Sequence, residues 1–275
     1  MSKRPNILLL CTDQQRWDTL GATGNPYVNT PDIDRLYAEG AAVPHAYCQS
    51  PVCTPSRASF MTGRYPRTTG AYQNGQDLPP RERLISRILS EAGYACGLAG
   101  KLHVSACNPS IAPVHEPRHN DGFDSFHWSH HPSSSVRDQI DGTATDSAPN
   151  WPLNAHNMWL AERGKAYATE AFPDCAHIRI GPEAEDHQTT FCAEMARNFI
   201  QAHDISDTPW MYMVNFFDPH HPFDPPKAYL DRYLDQLDDL PLPSYRAGEL
   251  EGKPPFRKKI MKAPIAAWRP FPIPR

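Results

Sequence analysis

The chain has 275 residues, of which 40% are hydrophobic and 21% are charged, so it is long enough to bury one large core. Its formal net charge of −4 gives no basic surface of the kind that nucleic-acid-binding proteins carry. No apolar run approaches the roughly 18 residues of a membrane-spanning helix. The short apolar run near the N-terminus does not fit a signal peptide. We therefore expect a cytoplasmic protein with neither a nucleic-acid nor a membrane partner.

Strand-like and helix-like segments alternate over residues 6–103 and again over residues 184–216. Residues Asn6–Cys11 form a continuous apolar run, which is typical of a strand buried on both faces of a parallel sheet. Helices are predicted between Pro31 and Gly40, from about Ser56 to Thr62, over Arg83–Ala92 and over Ala184–Ala202. Two further strands are predicted over Tyr94–Ala99 and Trp210–Phe216. This order favours an α/β fold with a doubly wound, mainly parallel sheet flanked by helices.

Two regions depart from this pattern. Residues 104–185 are rich in His, Ser, Pro, Asp and Asn with weak periodicity, which predicts a long irregular insertion. Residues 240–275 carry many of the 30 prolines and predict an extended tail. We therefore predict a catalytic domain over residues 1–239, including the insertion, and we expect the chain to stop before the full catalytic unit is complete.

The seven cysteines lie at spacings that fit neither a disulfide framework nor a zinc ribbon. We therefore predict that most of them are free thiols, as in a reducing compartment. A thiol-based or zinc-binding protein is one alternative, although no Cys-x-x-Cys pair supports it.

Polar side chains follow three of the predicted strands. They are Asp13 and Gln14, then Lys101 and His103, and finally Asp218, His220 and His221. Each group alone is also typical of a turn or a solvated loop. In a parallel sheet, however, these strand ends meet at one edge, where α/β proteins bind ligands. The combined set offers oxygen ligands for a hard cation beside cationic and imidazole groups.

A fourth element is the segment Cys53-Thr54-Pro55-Ser56-Arg57, which resembles the C-x-P-S-R signature of type I sulfatases in the alkaline phosphatase superfamily. The run Thr62–Pro66 follows at the family's usual spacing. Other segments similar to the family are Pro5–Arg16, Asn29–Leu36, Gly100–His103 as a G-K-x-H element and Pro219–Phe223 as a P-H-x-P-F element. The matches are dense from residue 5 to about 103 and reappear near 210–226.

The resemblance implies that Cys53 is a nucleophile in precursor form, which a formylglycine-generating enzyme acting on Cys53–Arg57 converts to Cα-formylglycine. In the family the hydrated aldehyde attacks sulfur and the ester's alcohol leaves. Its second hydroxyl then expels sulfate and restores the aldehyde, a release step that plain Ser or Cys lacks. The implied substrate is a small sulfate ester.

The resemblance also implies a metal site. Asp13, Gln14 and the oxygen of residue 53 would hold Ca²⁺, with Mg²⁺ as the alternative. Gln14 stands where many family members have a second acid, which removes one negative charge. The family completes this site with an Asp-Asn or Asp-His pair and a further Lys, and members carry a smaller C-terminal sheet domain. No D-[NH]-G context follows residue 226, so we expect a truncated chain with a half-built metal site.

The remaining roles implied by the resemblance concern the sulfate group. Arg57 would hold the hydrated aldehyde, and Lys101 would pair with sulfate oxygens. His103 would act as a base and bind substrate. His220, in preference to His221, would hydrogen-bond the ester and protonate the leaving oxygen.

The predicted function is therefore hydrolysis of a sulfate monoester. The first alternative is a phosphate or phosphonate ester hydrolase of the same superfamily, although Ser56 and the Gly100–His103 element favour sulfate. The second is an inactive, truncated fragment that binds anions, which the missing metal ligands motivate.

Overall fold

The computed structural model describes residues 4–107, 114–131, 153–173, 175, 177–241, 248 and 251. Its centre is a four-stranded parallel sheet of β1 (Ile7–Cys11), β2 (Ala95–Gly100), β3 (Ser125–Trp128) and β6 (Trp210–Asn215). The strand order is β1-β6-β2-β3. A separate antiparallel pair consists of β4 (Glu170–Ala171) and β5 (Arg179–Ile180). The prediction of an α/β fold with a mainly parallel sheet is confirmed.

Seven α-helices and three 3-10 helices are found in the described ranges. The α-helices are α1 (Pro31–Glu39), α2 (Cys53–Thr62), α3 (Pro66–Thr69), α4 (Ile85–Glu91), α5 (Ala155–Glu162), α6 (Gln188–Asp204) and α7 (Lys227–Leu234), and the 3-10 helices are Gly21–Thr23, Ala184–Asp186 and Leu237–Asp239. None of those helices is both long and apolar enough to cross a bilayer. The cytoplasmic location stays a prediction.

The core has two parts, one on each face of β6. Met211 and Met213 belong to one hydrophobic cluster, with residues of α2 and β2. Tyr212 and Val214 belong to the other, with residues of α5 and α6. Because successive side chains of a strand point to opposite faces, this alternation shows that β6 is covered on both sides. The predicted helical layers on the two faces of the sheet are therefore present.

Strand β1 contradicts the prediction that Asn6–Cys11 is buried on both faces. It pairs with β6 and lies at the edge of the sheet. The residues Ile7 to Leu10 are 37–52% exposed, and Leu36 and Tyr37 of α1 are 53% and 40% exposed. An apolar run indicates a preference for a covered position, but it does not specify the strand's place in the sheet.

The region predicted as an irregular insertion, 104–185, contains elements that the sequence pattern did not indicate. Strand β3 joins the central sheet beside β2, and α5 packs against α6. Strand β3 has four residues, which is too short for a clear alternation of apolar side chains. Residues 108–113 and 132–152 lie outside the described residues, as does most of the predicted tail over 240–275. The predicted domain boundaries stay predictions.

Candidate active site

The carboxyl ends of β1, β6 and β2 are aligned at one edge of the sheet. Cys11 and Gly100 both lie beside Asn215 in the register of the ladder. The amide of Asp13 donates to the carbonyl of Asp218 at 3.2 Å, which ties the segments after β1 and β6 together. The predicted convergence of these strand ends therefore occurs.

Cys53 lies at the first residue of α2, at the edge of the same cleft. Pro55 is accommodated there because the first turn of a helix has no partner for its N–H groups. Cys53 lines a cavity of about 230 Å³ together with Asp13, Gln14 and Arg57. The partial positive charge at a helix N-terminus favours an anion at this position.

Arg57 lies one helical turn after Cys53 and is 5% exposed. Its Nη1 donates to the carbonyl of Lys101 at 2.8 Å, and its Nη2 lies 3.5 Å from Oδ2 of Asp13. The guanidinium thus connects α2 to the ends of β1 and β2. Its predicted role toward the converted residue 53 stays a prediction.

Lys101 is completely buried and forms an ion pair with Asp13. Its Nζ also lies 5.1 Å from the centre of the Phe217 ring. Burial alone would raise the pKa of the Asp13 carboxyl, but the charges of Lys101 and Arg57 outweigh this effect and lower it. Asp13 is therefore ionised at neutral pH, and its charge is compensated by two cations.

His103 has a φ of 56°, in the left-handed region that few non-glycine residues adopt. Its side chain is buried, and burial lowers its pKa well below the ordinary value, so the imidazole is neutral. Its Nδ1 has no hydrogen-bond partner among the described residues. The ring packs edge-on against His130, with 5.7 Å between centroids. A buried, unpaired ring nitrogen beside Lys101 is suited to bind an incoming ligand.

His220 hydrogen-bonds through Nδ1 to the carbonyl of His221. A carbonyl only accepts, so Nδ1 carries the proton and Nε2 is left as an acceptor. Burial, followed by the charge of Lys101, lowers the pKa of His220 to about 4. His220 is therefore neutral at pH 7.

The side chains at the cavity fit a metal ion in part. Ligand atoms of Asp13, Cys53 and His220 all lie within 4.8 Å of one another. Gln14 is exposed and lines the same cavity. A thiol and an imidazole suit softer metals, whereas an oxygen at position 53 would shift the set toward a hard cation. Asp13 is the single carboxylate among the described residues lining this cavity.

Several residues that shape the site were not predicted from the sequence. Asn215 accepts from the Lys101 amide at 3.0 Å, and its Nδ2 donates to the Lys101 carbonyl at 2.7 Å. Phe217 supports the Lys101 ammonium, and Glu116 binds the backbone around His103. A polar residue that ends an apolar strand is a signal that could have identified Asn215. Nothing in the sequence around Glu116 distinguishes it from a surface acid.

The fold and the strand-end site define an α/β protein with a candidate ligand site at the carboxyl edge of its parallel sheet. A family model described as Sulfatase matches residues 5–241. The chain therefore belongs to the sulfatase family, whose members generally use a metal ion and a formylglycine residue.

Comparisons with individual proteins agree with this assignment. The chain is 32% identical over 247 residues to an arylsulfatase of Clostridium perfringens, covering 87% of this chain and 48% of the relative. It is 31% identical to an ulvan-active sulfatase of Formosa agariphila, with coverage of 84% and 38%. The chain thus spans half or less of the length of these relatives.

Among solved structures, a phosphonate monoester hydrolase from Silicibacter pomeroyi superimposes with a TM-score of 0.68 at 23% identity. The alignment covers 94% of this chain and 50% of that chain. At this identity, the likeness shows the shared fold alone.

Proposed function

We propose that the protein hydrolyses a sulfate monoester and that residue 53 supplies the nucleophile after conversion of Cys53 to formylglycine. The observation that carries the proposal is the position of Cys53. It starts helix α2 inside one cavity with Asp13 and Arg57, beside the buried ammonium of Lys101. Because the chain spans about half of its relatives, the activity of the whole protein is part of this proposal.

Lys101 and Arg57 are the groups suited to bind the sulfate. Both are buried, and a charge-assisted hydrogen bond is stronger where water is excluded. Together with the start of α2, they create a positive region next to residue 53. Since Lys101 pairs with Asp13, it must share or exchange this partner to contact a sulfate oxygen.

His220 and His103 are the groups suited to move protons. With Nδ1 bound to the His221 carbonyl, His220 can donate from Nε2 only after it gains a second proton. The pKa of about 4 opposes this, but a bound anion would raise it. His103 is neutral, and its Nδ1 has no hydrogen-bond partner in the part of the chain that the structure describes, so it is suited to accept a proton.

The proposed reaction also needs two chemical groups that the encoded amino acids do not supply, a formylglycine and a divalent cation. The hydrated aldehyde of formylglycine supplies an oxygen nucleophile and a second hydroxyl for sulfate release. A divalent cation, for which we propose Ca²⁺, supplies Lewis-acid chemistry when bound by Asp13, Gln14 and residue 53. We further propose that a formylglycine-generating enzyme acts on Cys53–Arg57 and that the substrate is a small sulfate ester.

Mass spectrometry and turnover assays test the proposal together. The chain is produced aerobically with a formylglycine-generating enzyme, and the peptide containing residue 53 is analysed for conversion of the thiol to an aldehyde. We expect conversion, and hydrolysis of an aryl sulfate in the presence of Ca²⁺. Cys53→Ala should abolish turnover, whereas Cys48→Ala should retain it, because Cys48 lines the same cavity outside the signature.

The alternatives give different results in the same assay. An unconverted thiol together with no turnover would contradict the proposal. A higher catalytic efficiency on a matched aryl phosphate or phosphonate would support the related ester hydrolase. Full conversion without turnover of either ester would identify the chain as an inactive fragment.

A further inference from the structure

The loop that follows β2 carries both Lys101 and His103, so its backbone determines where two of the proposed site residues lie. At its start, the loop is fixed by the sheet. The Lys101 amide donates to the carbonyl of Asn215, and the Lys101 carbonyl accepts from Arg57 at 2.8 Å and from Asn215 at 2.7 Å.

The far end of the loop is fixed by the side chain of Glu116, which is completely buried. Its Oε2 accepts from the amide of His103 at 2.6 Å and from the indole of Trp128 at 2.9 Å. Its Oε1 accepts from the amides of Val104 at 2.6 Å and Ser105 at 2.9 Å. Four N–H donors thus meet one carboxyl group, which matches the acceptor capacity of an ionised carboxylate.

The four donors explain how a charge can exist at this depth. Burial raises the pKa of Glu116 above the ordinary carboxyl value, and the hydrogen bonds from the backbone and from Trp128 offset part of this rise by favouring the charged form. A protonated carboxyl or an amide would present hydrogen atoms to donors that need an acceptor. The local structure is therefore specific for a carboxylate.

Glu116 binds the loop at His103, the loop residue with a left-handed backbone conformation. His103 has a left-handed φ of 56°, and its own amide is one of the four donors to Glu116. A residue held in this region persists when its surroundings fix it. Glu116 provides this restraint from outside the cavity, because its oxygens contact the backbone and Trp128.

We propose that Glu116 is a positioning residue, which holds the imidazole of His103 beside Lys101 through the backbone of residues 103–105. The inference rests on the proposed function for its catalytic consequence, but its structural part stands without it. Asp121 provides a comparison within the same segment. It is also buried, accepts from the amide of Phe123 at 3.0 Å and pairs with Arg118, whereas Glu116 contacts the loop itself.

The test compares Glu116→Gln with Asp121→Asn in the full, converted chain. For each variant we measure the melting temperature, kcat and KM on an aryl sulfate, the affinity for inorganic sulfate by calorimetry, and the carbon–proton resonance of the His103 imidazole. We expect Glu116→Gln to lower kcat by about 10- to 100-fold, as for other residues that orient site groups, with little change in KM. The His103 resonance should move, and sulfate should bind more weakly. Asp121→Asn should lose melting temperature but retain the wild-type kcat and resonance.

Two results would overturn the inference. One is a wild-type kcat and an unchanged His103 resonance in folded Glu116→Gln. The other is an equal loss of kcat in Asp121→Asn. If Glu116→Gln does not fold, amide hydrogen exchange of the wild type decides: protected amides at residues 103–105 support the inference, and rapid exchange there overturns it. If the wild type hydrolyses no sulfate ester, the proposed function fails, while the resonance, sulfate-binding and exchange measurements still test Glu116.

Discussion

Lys101 and Arg57, which both pair with Asp13, are 0% and 5% exposed, whereas Gln14, which lines the cavity, is exposed. The first group, which we call the cation side, also contains His103, and its loop is fixed by Asn215 and by the buried carboxylate of Glu116. The second, the metal side, consists of Asp13, Gln14 and Cys53. Its carboxylate is already paired with both cations of the opposite side.

The two sides differ in their net charge. Among the described side chains that meet here, Lys101 and Arg57 contribute two positive charges and Asp13 one negative charge. A site with a net positive charge attracts sulfate and repels a divalent cation. In the proposed function, the described residues therefore favour the anion, while binding of the cation depends on the conversion of residue 53 and on further negative charge.

The largest expected effect concerns the ion pair that joins the two sides. Asp13→Asn leaves the ammonium of Lys101 buried without its main partner, and Lys101→Met leaves the carboxylate with Arg57 alone. We expect each single variant to lose about 3 kcal/mol of unfolding free energy, and the double variant to recover most of this loss. Urea unfolding at pH 7 measures all four proteins.

The double-mutant cycle also has a clear contrary outcome. Additive losses in the double variant would show that the two side chains are not energetically coupled, and that the two sides of the cavity are independent. Asp13→Asn should in addition bind inorganic sulfate more tightly than the wild type without added metal, because it removes the negative charge.

The pH dependence of the unfolding free energy should distinguish the contribution of Asp13 from that of a buried histidine outside the site. Burial lowers the pKa of His156, which is 0% exposed, to about 4, despite a hydrogen bond to the Asp186 carbonyl. Between the ordinary histidine pKa of about 6.5 and pH 4, the unfolded chain takes up a proton that the folded chain does not. The free energy of unfolding should therefore decrease as the pH is lowered from about 6.5 to 4, by up to about 3 kcal/mol for this group.

The contribution of Asp13 has the same sign, because its folded pKa is also lowered, but it lies in a lower pH window. Because its folded pKa is lowered, its stabilisation is complete above the ordinary carboxyl pKa and is lost as pH falls through the lower folded value, below about pH 4. Thermal unfolding between pH 7 and 3 measures both effects. His156→Gln should flatten the curve between pH 6.5 and 4, and an unchanged slope there would contradict this assignment.

The smallest expected effect comes from adding charge to the metal side. Gln14 has a φ of 60°, which Asp tolerates better than most residues, so Gln14→Asp should fold normally. A second carboxylate at this position should tighten Ca²⁺ binding to the converted chain about tenfold. Calorimetry compares it with Gln15→Asp, which adds the same charge outside the cavity lining. Equal gains in both variants would indicate a general charge effect.

Much of the fold was predictable because its inner strands have strong patterns. The run Trp210–Val214 is apolar, and the whole strand through Asn215 is buried, as predicted for a strand between two helical layers. The exposure of β1 was not predictable, since the same composition suits an edge or a central position. Strand β3 was missed because four residues provide too short a pattern.

For the site, the sequence located the functional segments but not their mutual contacts. The strand-end rule and the cysteine motif identified residues that the structure brings to one edge, among them Asp13, Cys53 and Lys101. The pairing of Lys101 with Asp13 depends on tertiary distances that no local pattern specifies. Glu116 was missed for the same reason, because its partners are backbone amides 11–13 residues away.

The edge position of β1 has a consequence for how the cavity moves. A strand that is bonded along one side, with its side chains partly in water, requires less free energy to open locally than one enclosed on both sides. Asp13 lies two residues after β1, which is an edge strand among the described residues, whereas Lys101 and His220 follow the enclosed strands β2 and β6. Slow fluctuations of this sheet should therefore displace the Asp13 carboxylate first, while Lys101 and His220 stay in place.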